Sequence, residues 1–192
     1  MLHSHLDADN NSHKSFELPG ARPHYVPDRP GQVEHIFLDL TLDIPNQSYK
    51  GTCVTRLNPI RNDLDRLTLD AVNLDIQSVK VADVDQPFDY DGEQLHIRLK
   101  QPTKIGSVIE LAIAYQVEKP QRGIYFVAPD KHYPDKPTQV WTQGEDEDSR
   151  FWFPCFDYPG QLATSEIRVN VPQSLMAISN GELIGTETKG DR

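Results

Sequence analysis

Only two cysteines, Cys53 and Cys155, occur in the 192 residues. Two such residues do not build a disulfide framework, so the sequence predicts buried free thiols. No apolar run approaches the roughly 20 residues needed to span a bilayer. No early basic segment leads into an apolar one, so no signal peptide is read. Together these point to a cytoplasmic protein with no membrane partner. Basic residues are in deficit, 19 Lys and Arg against 29 Asp and Glu, for a net charge of −10. That balance argues against nucleic acid and anionic lipid as partners. The seven histidines are scattered, and no two stand four residues apart, which denies the chain a helical pair of zinc ligands. A sustained 3.6-residue period is missing, and so is any internal repeat. The length suits one domain with a core, and an acidic surface suits a site that attracts cations.

What is present is punctuation and alternation. Residues 1–32 read as an irregular lead-in: His3, His5 and His13 lie among Asp, Asn and Ser, and Pro19, Gly20, Pro23, Pro27, Pro30 and Gly31 interrupt any regular element. From Val33 the period becomes two. Ile36, Leu38, Leu40, Leu42 and Ile44 predict a strand with one buried face. After a turn over 45–48, Tyr49, Gly51, Cys53, Thr55 and Leu57 share a face of a second strand. Leu64, Leu67 and Leu69 suggest a third. Leu74 and Ile76, then Val79 and Val81, alternate with one slip, which predicts a bulge near Gln77 and Ser78. Ile109, Leu111, Ile113, Tyr115 and Val117 form another strand. Asp91-Gly92 and Asn180-Gly181 each sit between short alternating runs, the strongest short-range hairpin signal. The expected fold is all-β, a twisted antiparallel β-sandwich over 33–192 behind the irregular tail.

Residues 118–164 break this rhythm with six prolines and both tryptophans, Trp141 and Trp152. Loops of this kind carry function. The stretch runs Trp141-Thr142-Gln143-Gly144-Glu145-Asp146-Glu147-Asp148-Ser149-Arg150, then Phe151-Trp152-Phe153-Pro154-Cys155-Phe156-Asp157-Tyr158-Pro159. By composition alone, Glu145 to Asp148 is a solvated acidic run. Gly144 grants the backbone conformations closed to other residues. Trp152, Phe153 and Phe156 read as core anchors. Cys155 has no His or Asn arrangement that would make it a nucleophile.

These two segments, with Arg122-Gly123-Ile124-Tyr125 before them and Ala163-Thr164 after, resemble the N-terminal domain of the gluzincin zinc aminopeptidases, the family of aminopeptidase N and leukotriene hydrolase. That family carries Thr-Gln-x-Glu, then an Arg, then Phe-Pro-Cys-Phe-Asp-x-Pro. Weaker similarity reaches back to about Val33. The resemblance implies a saddle-like β domain, truncated here at its C-terminal end. It implies that Glu145 binds the α-amine of a peptide N-terminus and that Gln143 lines the pocket for the first residue. Arg150 and Asp157 are then structural supports that brace the loop. The family's His-Glu-x-x-His and Gly-x-Met-Glu-Asn motifs are absent, so no catalytic or metal-binding residue is assigned to this chain. Zinc would belong to the parent enzyme, and the partner would be the missing catalytic domain of the same chain.

Tyr158, the run Gly160-Gln161-Leu162 and the pair Ser165-Glu166 depart from the family pattern, which leaves the substrate preference open. The rival reading is an interaction or scaffold module without peptidase activity, since non-catalytic relatives include a large subunit of the general transcription machinery. A hydrolase using Glu145 and Asp157 is a poor third, because nothing supplies a shaped pocket.

Overall fold

A computed structural model describes residues 29–192, so nearly all of the 1–32 lead-in lies outside the described residues. The elements are β1 (Gly31–Asp43), β2 (Ser48–Pro59), β3 (Arg66–Asp70), β4 (Asp75–Val81), β5 (Val84–Asp85), β6 (Phe88–Tyr90), β7 (Gln94–Arg98), β8 (Ile109–Glu118), β9 (Ile124–Val127), β10 (Gln139–Thr142) and β11 (Thr164–Asn170). The single helical turn among the described residues is a 3-10 turn over Ser149–Phe151.

Alternation decides the core. β1 buries Leu38, Leu40 and Leu42, β2 buries Tyr49, Cys53, Thr55 and Leu57, and β8 buries Leu111, Ile113, Tyr115 and Val117. These strands are neighbours in a six-stranded sheet ordered β11-β1-β2-β8-β4-β5. A three-stranded sheet, β3-β7-β6, buries Leu67, Leu69, Leu95 and Ile97 in the same hydrophobic cluster. β9 and β10 form a separate ribbon. The slip between Ile76 and Ser78 is present in the β4–β8 ladder. Asp91-Gly92 turns β6 into β7: Gly92 sits at φ +96°, and Asp91 Oδ1 accepts the N–H groups of Glu93 and Gln94 at 2.8 and 2.7 Å. Those two bonds hold the Asp91 carboxyl below its ordinary pKa.

Two expectations are corrected. The main sheet is mixed, because β11 runs parallel to β1, from His35 opposite Thr164 to Thr41 opposite Asn170. Both strands start at the same end of the sheet. Gln161 Nε2 donates to the Gly31 carbonyl and Gln32 Nε2 donates to the Leu162 carbonyl, each at 3.0 Å. The second correction concerns Asn180-Gly181. Gly181 has the turn conformation, φ +91°, yet no strands flank it. Met176, Ile178, Leu183 and Ile184 are exposed. A two-stranded hairpin is marginal without a surface beneath it, and none of the described strands covers this one.

Candidate functional site

The Phe-Trp-Phe-Pro-Cys-Phe-Asp segment is pinned to two sheets at once. Asp70, at the end of β3, and Cys155 exchange both backbone hydrogen bonds, at 2.8 and 3.0 Å. The buried Tyr49 hydroxyl of β2 donates to the Trp152 carbonyl at 2.7 Å, and Cys53 Sγ lies 3.5 Å from the Pro154 carbonyl. Trp152, Phe153 and Phe156 are buried core members, and both cysteines are free thiols. Burial pushes the Cys53 thiol up to about 12 and raises Cys155 as well. Neither offers a thiolate nucleophile at neutral pH.

Arg150 stands at the centre of the loop. Its Nε donates to Asp157 Oδ2 at 2.9 Å, and its Nη2 donates to Glu147 Oε2 and to the Asp157 carbonyl, both at 3.0 Å. The Arg150 backbone N–H donates to Asp157 Oδ2 at 3.0 Å. Asp70 joins from 3.7 Å and accepts the Asp157 N–H at 3.1 Å. Burial opposes the Arg150 charge, but its bond to Asp157 and the nearby carboxylates raise its pKa overall. For Asp157 burial prevails instead: its pKa is raised although Arg150 pulls it down. The asymmetry has a physical cause, since Arg150 faces three carboxylates whereas Asp157 shares one guanidinium with the neighbouring Asp70. Asp70 escaped the sequence reading because it lies 87 positions from Asp157, and no local pattern marks such a partner.

The network stops short of Glu145. Gln143 and Glu145 are both exposed, and among the described residues no hydrogen bond or ion pair engages the side chain of Gln143, Glu145 or Asp146. Only the backbone around them is fixed. The Gln143 N–H donates to the Gly123 carbonyl at 2.8 Å, and the Asp148 N–H donates to the Gly144 carbonyl at 3.0 Å. The Glu145–Asp146 peptide is cis. Gly144 matters for space rather than dihedral freedom: it has no positive φ, and a Cβ there would lie 2.7 Å from Ser149 Oγ. A cavity of about 230 Å³ lies beside the loop, lined in part by Gly144, Asp146, Phe156 and Asp157. Neither Gln143 nor Glu145 lines it. Sequence reading also missed the pairing of Trp141 with Tyr125, whose rings stack 4.3 Å apart at 19°; the stretch around Trp141 reads as loop, whereas the structure makes it β10, paired with β9.

Among the described residues, no three His, Cys, Asp or Glu side chains gather as a metal site. The described residues do not fit zinc.

With this geometry in place, comparison with known proteins is decisive for the family. A model of the Peptidase M1 N-terminal domain matches residues 23–192. The chain belongs to the Peptidase M1 N-terminal domain family. Among curated relatives of this M1 domain, Probable aminopeptidase 1 of Saccharolobus solfataricus is 34% identical over 143 residues, 74% of this chain and 17% of that protein. Transcription initiation factor TFIID subunit 2 of Danio rerio is 23% identical over 215 residues, 90% of this chain and 17% of that protein. The M1 domain described here thus spans less than a fifth of either relative. The M1 zinc metallopeptidase from Deinococcus radiodurans superposes with a TM-score of 0.70 at 22% identity, covering 86% of this chain and 38% of that one. Native yeast LTA4 hydrolase gives 0.62 at 22% identity, covering 79% and 26%. These likenesses establish the shared all-β fold.

Proposed function

We propose that this M1 domain is the non-catalytic N-terminal part of a zinc-dependent aminopeptidase and that it supplies the anchor for a peptide's α-amine. The observation that carries the reading is Glu145, an exposed carboxylate without a partner among the described residues, on a loop whose backbone is tied to Gly123 just before β9 and backed by the Arg150–Asp157 network. An exopeptidase distinguishes a chain end by its ammonium group. A free carboxylate can pair with that group without first breaking an internal ion pair, and two unit charges about 4 Å apart interact by about 4 kcal/mol at an effective dielectric near 20. Gln143 offers a donor and an acceptor without charge and suits the wall of the pocket for the first residue. Zinc and its ligands belong, in this proposal, to the catalytic part of the same polypeptide.

The test is Glu145→Ala and Glu145→Gln in the complete polypeptide that carries this chain, assayed on amino-acid amides. A loss of about 100-fold in kcat/KM is expected, the scale of a charge-assisted contact worth roughly 3 kcal/mol. Unchanged kcat/KM removes Glu145 from the reading. The match across 90% of this chain to TFIID subunit 2 favours a second reading, an interaction module without peptidase activity. A complete polypeptide that lacks a zinc motif and cleaves no amide would select it.

A further inference from the structure

The β9–β10 ribbon holds a feature that amine anchoring does not use. Tyr125 and Trp141 are direct partners in its register. Their neighbours Ile124, Phe126 and Val140 pack against the core, so alternation puts the stacked rings on the outer face. Trp141 remains 46% exposed there. A stacked pair with its indole left half against water is a feature that folding alone does not favour.

The ladder continues one pair further, because the Gln143 N–H reaches the Gly123 carbonyl. Gln143 therefore follows Trp141 on the same face, two strand positions or roughly 6.6 Å away. Gly123, across from Gln143, is buried against Asp148, Phe151 and Trp152, whereas Gln143 itself is exposed. The face runs from the ring pair through Gln143 and ends at the turn that bears Glu145.

Its electrostatics select an occupant. Asp148 is paired with Arg122 and Glu147 with Arg150, whereas Glu145 and Asp146 have no ion-pair partner among the described residues. A half-exposed indole on the strand that leads into the acidic turn suits a cation on a long stem. An arginine or lysine side chain covers the span from Gln143 to Trp141, and an alanine does not. The same chemistry occurs within the fold, where the Arg122 guanidinium lies 4.6 Å from the centre of the Phe151 ring.

We propose that the Tyr125–Trp141 stack is a recognition shelf for an arginine or lysine as the first residue of the substrate. This rests on the amine-anchor reading and names the substrate class that reading leaves open. The experiment compares arginine, lysine, norleucine and alanine 7-amido-coumarins as substrates of the complete polypeptide, in wild type, Trp141→Ala, Trp141→Phe and Glu145→Ala. Trp141→Ala is expected to lower kcat/KM for arginine and lysine about 3- to 30-fold, the range of an indole–cation contact. Alanine and norleucine should stay unchanged, and Trp141→Phe should recover part of the selectivity. Glu145→Ala should lower all four by a common factor.

An equal loss on all four substrates in Trp141→Ala, or no loss on any, overturns the shelf while leaving the anchor intact. No effect of Glu145→Ala, with selectivity still lost in Trp141→Ala, overturns the anchor and leaves the cation shelf. A complete polypeptide that cleaves none of the four overturns both.

Discussion

Arg150 Nε lies 2.9 Å from Oδ2 of Asp157, and that oxygen also accepts the backbone N–H of Arg150 itself. The carboxylate thus grips both ends of one residue and closes the segment that carries the Trp-Phe-Pro-Cys-Phe anchors. Arg150→Ala would leave Asp157 buried without its cation beside Asp70. It is expected to destabilise the fold by about 3 kcal/mol. Asp157→Asn should cost less, because Asp157 already pays for its burial and Arg150 keeps Asp70 and Glu147. Urea unfolding of both variants checks the order; a larger loss in Asp157→Asn would contradict it.

Glu145→Ala should leave stability within about 0.5 kcal/mol of wild type, because the side chain is exposed and has no partner among the described residues. A drop in melting temperature of more than a few degrees would show that Glu145 holds the loop instead of serving a ligand.

Two buried tyrosines should behave differently. Tyr49 donates to the Trp152 carbonyl, while the Tyr115 hydroxyl has no hydrogen-bond partner among the described residues. Tyr49→Phe removes a buried bond and leaves a carbonyl bare, for an expected cost of about 1–2 kcal/mol. Tyr115→Phe removes a hydroxyl that pays desolvation without return, and stability should hold or rise. Equal losses in the two denaturation curves would refute the contrast.

The thiols set an alkaline limit. Cys53 titrates at about 12 in the folded chain against an ordinary 9.0. Its pKa is raised by folding, so its contribution is complete below pH 9 and is lost as pH climbs toward 12. Stability should fall in that window by about 1.4 kcal/mol per pH unit for this group. Cys53→Ala should flatten the slope, and a thiol reagent should label Cys53 only on unfolding. Prompt labelling of the native chain at pH 8 would refute the buried assignment.

Strands whose faces differ were legible in the sequence, because burial writes itself as a period of two in Leu38 to Leu42 and in Leu111 to Val117. The bulge at Gln77 was legible for the same reason, as a slip in that period. The orientation of β11 was not, since alternation looks identical in parallel and antiparallel strands. The hairpin at Asn180-Gly181 was over-read, because turn chemistry states what a backbone permits but not whether a surface exists to bury the flanking residues. The motif named Gln143, Glu145, Arg150 and Asp157; the structure joins Arg150 to Asp157 and leaves Gln143 and Glu145 exposed. The contact with Asp70 and the stack of Tyr125 on Trp141 depend on register between distant segments, which no local pattern encodes.

The parallel seam between β1 and β11 has a consequence for biogenesis. His35 meets Thr164, 129 positions later, so this pairing carries one of the largest loop-closure costs in the chain and should form late. At about 5–20 residues per second, a ribosome leaves the outer edge of β1 bare on the order of ten seconds before its mate is synthesised. During that interval the nascent domain presents an open template to any passing extended segment, and a holdase that masks β1 would raise the yield of correctly assembled chain.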